Sequence, residues 1–161
     1  MQVFAVDGIQ ARRDKATAFG ATAVSPDEAL AAVTAATDGR GADVVLEVVG
    51  APSALQLAFQ LLRPAGVLSS VGVHTHPTFP FSPVDGYNKN LAFKSGRCPA
   101  RAYMEKLLPV VKESKLPFTD IITHRLALTE GVWGYQMFDQ KLESCIKVVL
   151  DPWKGPLSAP A

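Results

Sequence analysis

The first residue in the chain whose type and place suit chemistry is Asp7. It closes the apolar run Val3-Phe4-Ala5-Val6 and precedes Gly8-Ile9-Gln10-Ala11-Arg12-Arg13-Asp14-Lys15, a basic, helix-forming segment. A run of β-formers that is apolar on both faces suits a strand covered by helices on each side. An acid at its carboxyl end stands where open α/β sheets bind ligands. In dinucleotide-binding sheets such an acid takes a ribose hydroxyl, about 20 residues after a glycine-rich turn. Here six residues precede Asp7, and no GxGxxG occurs anywhere in the sequence. Asp7 also fits a plainer role, the N-cap of the helix that follows.

Other reactive side chains are scattered. Cys98 and Cys145 lie far apart with no CxxC or Cys/His ligand spacing, so they read as buried or partly buried free thiols. His74 and His76 flank Thr75 and could pair on a metal, but no third ligand lies near them, and no metal site is expected. His124 reads as a structural residue of a strand. Asp85 and Tyr87 follow a proline-rich loop, where a polar side chain meets either substrate or solvent. Trp133, Tyr135 and Phe138 fall at helical spacing and read as core.

Composition sets the outer bounds. The 161 residues suffice for one domain with a core. Hydrophobic residues make up 48% and charged ones 19%, which excludes a disordered chain. A net charge of +1 gives no reason to expect nucleic acid or an anionic membrane as partner. No apolar run has the length of a membrane span, and no signal-peptide core precedes Asp7. A soluble, cytoplasmic protein is expected.

The elements that must position these residues alternate. Ile9 to Phe19 favours helix, with Gly20 as its stop. Ala21 to Val24 is a short strand. Ser25-Pro26-Asp27-Glu28 carries serine, proline and glutamate at the spacing of a capping box, and the helix it opens ends near Asp38-Gly39-Arg40-Gly41. Ala42 to Gly50 reads as strand, and Pro52-Ser53 opens a helix bearing Leu55, Ala58, Phe59 and Leu62. Pro64-Ala65-Gly66 breaks it, and Val67 to Val71 is the next strand. This β-α-β-α-β-α-β order with short connections predicts a parallel sheet with right-handed crossovers. His74 to Pro83 reads as an irregular loop. A strand over Asn90–Ser95 follows, then a helix with Tyr103, Leu107, Leu108 and Val111 on one face. A strand within Phe118–Leu126, a helix capped by Thr129 and a last strand over Ile146–Leu150 complete the pattern. The domain is expected to span residues 1–151, with 152–161 as a flexible tail.

In this order, Ala5-Val6-Asp7 with Arg12 and Phe19-Gly20-Ala21, Glu47-Val48-Val49-Gly50, Gly66-Val67 to Val71-Gly72-Val73, Ser95-Gly96-Arg97-Cys98-Pro99 and Ile146-Lys147-Val148-Val149-Leu150 resemble the cofactor domain of zinc-type medium-chain alcohol dehydrogenases. The resemblance covers roughly residues 3 to 151. It implies a Rossmann-like doubly wound parallel sheet and NAD as cofactor. Asp7 would bind the adenosine ribose, with Arg12 beside it. Val48 and Val49 would line the adenosine half, and Val71, Gly72 and Val73 the nicotinamide. Gly96 and Cys98 would meet the carboxamide through their backbone, and Lys147 the pyrophosphate; the plainer reading of Lys147, on a strand between valines, is an edge residue that reaches water along its stem. A carboxylate at position 7 disfavours the extra phosphate of NADP, although Arg12 or Arg13 could accept it; Arg13 and Lys15 otherwise read as a solvated helix face.

The same resemblance implies two departures. The family's first strand with its glycine-rich turn, and its amino-terminal domain with the zinc ligands, have no counterpart in these residues. In a 3-2-1-4-5-6 sheet, that strand lies centrally, between the one ending at Asp7 and the one ending at Gly50. A truncated cofactor-binding part, without catalytic residues of its own, is therefore the expectation. Full-length relatives would use zinc, act on small alcohols or aldehydes, and form dimers through this domain. The alternative is a non-catalytic dimerisation or interaction module that pairs with an intact homologue. A methyltransferase-like nucleotide domain fits the Ser95–Pro99 and Lys147 segments poorly.

Overall fold

Strand and helix alternate as the punctuation of the sequence dictates. The computed structural model describes residues 1–155. Its elements are Phe4–Val6 (β1), Gln10–Ala18 (α1), Thr22–Val24 (β2), Pro26–Ala36 (α2), Ala42–Glu47 (β3), Pro52–Leu61 (α3) and Leu62–Ser70 (β4). Pro83–Asn88 (α4), Ala92–Ser95 (β5), Ala100–Glu113 (α5), His124–Ala127 (β6), Gly131–Asp139 (α6) and Val148–Asp151 (β7) follow. The expected tail at 156–161 lies outside the described residues. Packing divides the chain into two compact units, Met1–Leu108 and a second that begins at Pro109.

Local chemistry sets the ends of these elements. Gly20 takes φ +90°, and two bonds close α1, Gly20 N to Thr17 O and Ala21 N to Ala16 O. Those are the two bonds of a Schellman stop, which favours glycine at this position. At the start of α2, the Glu28 carboxylate reaches back to Ser25 N at 3.0 Å, satisfying a donor that the helix leaves orphaned.

In the first unit β1 pairs with β2 in parallel, Phe4 opposite Thr22 and Val6 opposite Val24. A separate parallel sheet has the order β3-β4-β5. What joins the two is helix packing. Ala29 and Val33 of α2 and Leu61 of α3 are buried against Phe4, Val6 and Val24 of one sheet and Ala42 and Val45 of the other. Among the described residues no strand pairing joins β1-β2 to β3-β4-β5. On β3, Val44 and Leu46 remain exposed at 55% and 69%. A second cluster, Leu55, Ala58, Leu62 and Leu68, packs with Phe81, Leu91 and Phe93 over β4 and β5.

Several expectations need correction. Pro64-Ala65-Gly66 lies inside β4, because Leu62 already pairs with Ala42 and the irregularity is absorbed as a register shift before Val44. The proline-rich loop is anchored: the rings of Phe79 and Phe81 stack at 5.5 Å, and Phe81 stacks on Phe59 at 4.6 Å. The loop runs into α4, where Ser82 and Asp85 form a capping box. The Lys89 ammonium donates to the Phe59 carbonyl near the end of α3 and sits 4.4 Å from that ring. On α5 no residue is buried, and Tyr103, Leu107, Leu108 and Val111 are about half exposed.

In the second unit β6 and β7 pair in parallel, His124 opposite Val148 and Ala127 opposite Asp151. The α6 residues that enter its core are Gly134 and Met137. Gly134 lets the helix approach closely: a Cβ there would stand 3.2 Å from Leu126 Cδ1. Trp133, Tyr135 and Phe138 are instead exposed at 42%, 77% and 48%. Helical spacing identified the wrong stripe, because the small Gly134 carries no hydrophobic signal. Thr129 does not cap α6; it belongs to a 3-10 turn, Leu128–Glu130, and the N-cap is Glu130. Phe118–Ile121 is likewise a 3-10 turn ahead of β6.

Candidate functional site

Asp7 follows β1 directly, its N–H continuing the ladder to Val24 O at 3.3 Å. Its Oδ1 accepts from Ile9 N at 2.8 Å, an Asx-turn that turns the chain into α1. The N-cap itself is Ile9. Oδ2 faces the Arg12 guanidinium at 3.8 Å, and 36% of the Asp7 side chain stays exposed. Arg13 is not merely a solvated residue. It donates to the Asp7 carbonyl at 2.6 Å and to Gln10 Oε1 at 2.5 Å, which fixes the turn and occupies the guanidinium. Arg12 and Asp7 therefore form the charged pair that projects from the end of β1.

The turns after β3 and β4 bring Val48, Val49, Val71, Gly72 and Val73 together. The backbones cross in direct contact. A Cβ on Gly72 would lie 2.2 Å from Gly50 N, and one on Gly50 would lie 2.3 Å from Val73 O. No side chain fits at either place, and Gly50 also takes φ +86°. Val48, Val49, Val71 and Val73 point outward from this crossing, exposed at 65%, 67%, 45% and 82%. Apolar side chains held outward on a fixed backbone form a surface on which a flat ring can lie.

Glu47 holds the crossing, and the sequence reading did not single it out. The residue is 3% exposed. Its Oε1 accepts from Val49 N and Gly50 N, both at 2.7 Å. Oε2 accepts from Ser70 Oγ at 2.7 Å and faces His74 Nε2 at 3.1 Å. Its backbone carbonyl accepts from Val71 N at 2.9 Å and Gly72 N at 3.3 Å. Burial works to raise the carboxyl's pKa. The hydrogen bonds from Gly50, Ser70 and Val49, with the imidazole of His74, outweigh it and hold the group below the usual carboxylate range. One signal could have revealed this: in the parallel register Glu47 stands opposite Ser70, each two or three residues before a glycine.

Serine, histidine and glutamate together invite comparison with a nucleophilic triad, and the geometry rejects it. In a triad the serine and the acid engage opposite nitrogens of the imidazole. Here Ser70 Oγ lies 2.6 Å from Nε2, the nitrogen that also faces Glu47. Ser70 is 1% exposed and its proton is directed to the carboxylate.

The remaining expected site residues lie elsewhere. Gly96 and Cys98 are exposed beyond β5, so the Cys98 thiol is not buried; Cys145 is. Lys147 precedes β7 rather than lying within it, and its ammonium sits 5.9 Å from the Phe138 ring. Its carbonyl accepts from Thr123 N and His124 N. Lys147 belongs to the second unit. Among the described residues no group of three or more His, Cys, Asp or Glu is placed to hold a metal ion. The donor set for zinc is therefore not supplied by these residues.

Parallel strands alternating with helices, with a strand-end acid on one sheet and close-approach glycine turns on the other, define a Rossmann-like type of domain. The chain belongs to the zinc-binding dehydrogenase family, whose model matches residues 1–113, the first unit and the helix that leaves it. Zinc-type alcohol dehydrogenase B of Aspergillus flavus is 38% identical over 141 residues, 85% of this chain and 33% of that protein. The alcohol dehydrogenase TADH from Thermus sp. ATN1 is 34% identical with a TM-score of 0.84, over 92% of this chain and 43% of that one. A short chain alcohol dehydrogenase from E. coli CFT073, complexed with cofactor NADH, shares the fold at a TM-score of 0.78 and 22% identity, over 92% of this chain and 44% of that one. This chain thus spans about a third of the length of the curated relative named here.

Proposed function

We propose that the chain is the cofactor-binding part of an NAD-dependent zinc-type alcohol dehydrogenase, and that by itself it does not turn over alcohol. The observation that carries the cofactor reading is Asp7, a partly exposed carboxylate at the carboxyl end of β1 with Arg12 beside it. Bound NAD would accept a hydride from the alcohol carbon while the hydroxyl proton leaves, giving an aldehyde or ketone. In this reading Asp7 accepts from the ribose hydroxyls and Arg12 balances its charge. Val48 and Val49 pack on the adenosine side, and Val71, Gly72 and Val73 present the nicotinamide-side backbone. Gly96 and Cys98 meet the carboxamide. Engagement of Arg13 with the Asp7 carbonyl and Gln10 leaves it poorly placed for an added phosphate, which favours NAD over NADP.

Calorimetric titration tests this. NAD should bind weakly, with a dissociation constant near millimolar, about −4 kcal/mol, because no helix N-terminus among the described residues carries a glycine-rich turn to supply amides to the pyrophosphate. A micromolar constant would overturn the weak-binding expectation, and tighter binding of NADP than NAD would overturn the cofactor preference. In-frame DNA upstream that encodes a glycine-rich turn and zinc ligands would favour the dehydrogenase reading over a separate short product.

The second reading is an interaction module. The interruption between β1 and β3, with Val44 and Leu46 exposed beside it, favours acceptance of a parallel strand from an intact homologue. Mixing the two proteins and measuring mass by light scattering decides it; absence of a hetero-oligomer ends this reading. Localisation in the cytoplasm belongs to the same proposal, and among the described residues no helix is long and apolar enough to cross a membrane.

A further inference from the structure

We propose that Glu47, Ser70 and His74 form a positioning latch that sets the two crossing turns, Val48–Gly50 and Val71–Val73, as one unit, with His74 as the piece that releases it. The proposal rests on the reading above only in naming those turns as cofactor-facing. Its own basis is the geometry of one carboxylate. Oε1 of Glu47 holds the first turn through Val49 N and Gly50 N. Oε2 holds the end of β4 and the residue just past the second turn, through Ser70 Oγ and His74 Nε2. Because the turns touch backbone to backbone at Gly50 and Gly72, a shift of one requires a shift of the other.

The hydrogen bonding also assigns the imidazole tautomer. Ser70 donates its only proton to Glu47 Oε2, so at 2.6 Å its lone pairs face His74 Nε2. Glu47 Oε2 presents a second acceptor at 3.1 Å. Two acceptors facing one ring nitrogen require that nitrogen to carry the proton. His74 is thus an Nε2–H donor shared between serine and glutamate. Ser70 and Glu47 are almost fully buried, whereas 22% of the His74 side chain remains exposed. His74 sits at the start of the proline-rich loop, outside any strand, and is the one member that can leave without unmaking a strand.

Three variants separate a latch from mere packing. His74→Ala removes the donor and the ring, His74→Phe keeps a ring without the donor, and His74→Gln restores a donor at the reach of Nε2. Amide hydrogen exchange is followed at Val49, Gly50, Val71 and Gly72, with 15N spectra of the labelled histidines in the unsubstituted chain. Exchange at Val49 and Gly50, whose amides bond Glu47 and not His74, should rise about tenfold in His74→Ala and His74→Phe and return towards the original rate in His74→Gln. The 15N shifts of His74 should show a protonated Nε2. Unchanged exchange at Val49 and Gly50, rescue by Phe rather than Gln, or an Nδ1–H tautomer each overturns the latch. An NAD titration that leaves the Gly50 and Gly72 amide resonances unmoved, with the exchange pattern intact, fails the cofactor reading while the latch stands.

Discussion

Two carboxylates stand at strand ends in the first unit, and they do opposite things. Asp7, at the end of β1, gives Oδ1 to one backbone N–H, meets Arg12 at 3.8 Å and keeps about a third of its side chain exposed. Glu47, at the end of β3, is buried, and its two oxygens face four nearby donors. The difference is in what the following residues offer. After Asp7 the chain turns through Gly8 into a helix on the surface. After Glu47 it folds under the β4 turn, where the buried Gly50 amide and Ser70 hydroxyl find the carboxylate as their partner. A strand-end acid reads a ligand only while lone pairs remain for it; when they are claimed from within, the acid becomes part of the scaffold.

The contrast can be broken most strongly at Glu47. Glu47→Ala leaves a buried amide, a part-buried amide, a hydroxyl and an imidazole without their acceptor, the buried ones at about 1–3 kcal/mol each; urea denaturation should show a loss of at least about 3 kcal/mol or no folded protein. A milder form uses pH. The folded pKa of Glu47 lies below the reference 4.5, so its contribution is present above that pH and lost as pH falls through the lowered value. Stability should therefore fall more steeply below pH 4.5 in the unsubstituted chain than in Glu47→Gln. Next in size, Gly72→Ala forces the crossing apart, costing about 1–3 kcal/mol and speeding exchange at Gly50. Asp7→Asn should do the converse: stability within about 0.5 kcal/mol, because an amide oxygen still accepts from Ile9 N, but NAD affinity down about tenfold in calorimetry. Smallest of all in the isolated chain is Leu46→Thr. It is exposed, so its melting should shift little, while any pairing with a strand donor should weaken in light scattering.

How far these roles could be read in advance depended on how local their chemistry is. The Ser25 capping box was legible because all its parts lie within four residues, and so was the Gly20 stop. The same signature at Ser82-Pro83-Val84-Asp85 was hidden by the prolines around it, which read as loop. The place of Asp7 at a strand end was legible from the apolar run before it. Glu47 was not: its partners at Ser70 and His74 lie more than twenty residues away, and only strand register brings them together. Trp133, Tyr135 and Phe138 misled for a related reason. Large side chains dominate a periodic pattern, yet the face of α6 that packs is the one where Gly134 permits close approach to Leu126 and Val148.

The interruption between β1 and β3 has a consequence for how the halves of this unit are aligned. Within β1-β2 and within β3-β4-β5, every residue is indexed to a neighbour by a ladder, and a slip of one position would turn each side chain to the wrong face. Across the join runs the greasy contact of α2 and α3 with both sheets, which fixes proximity but counts nothing. Alignment there is continuous where elsewhere it is discrete. A strand entering between β1 and β3 would turn that sliding fit into a toothed one, and would set by the same act how far Asp7 stands from the Gly50–Gly72 crossing.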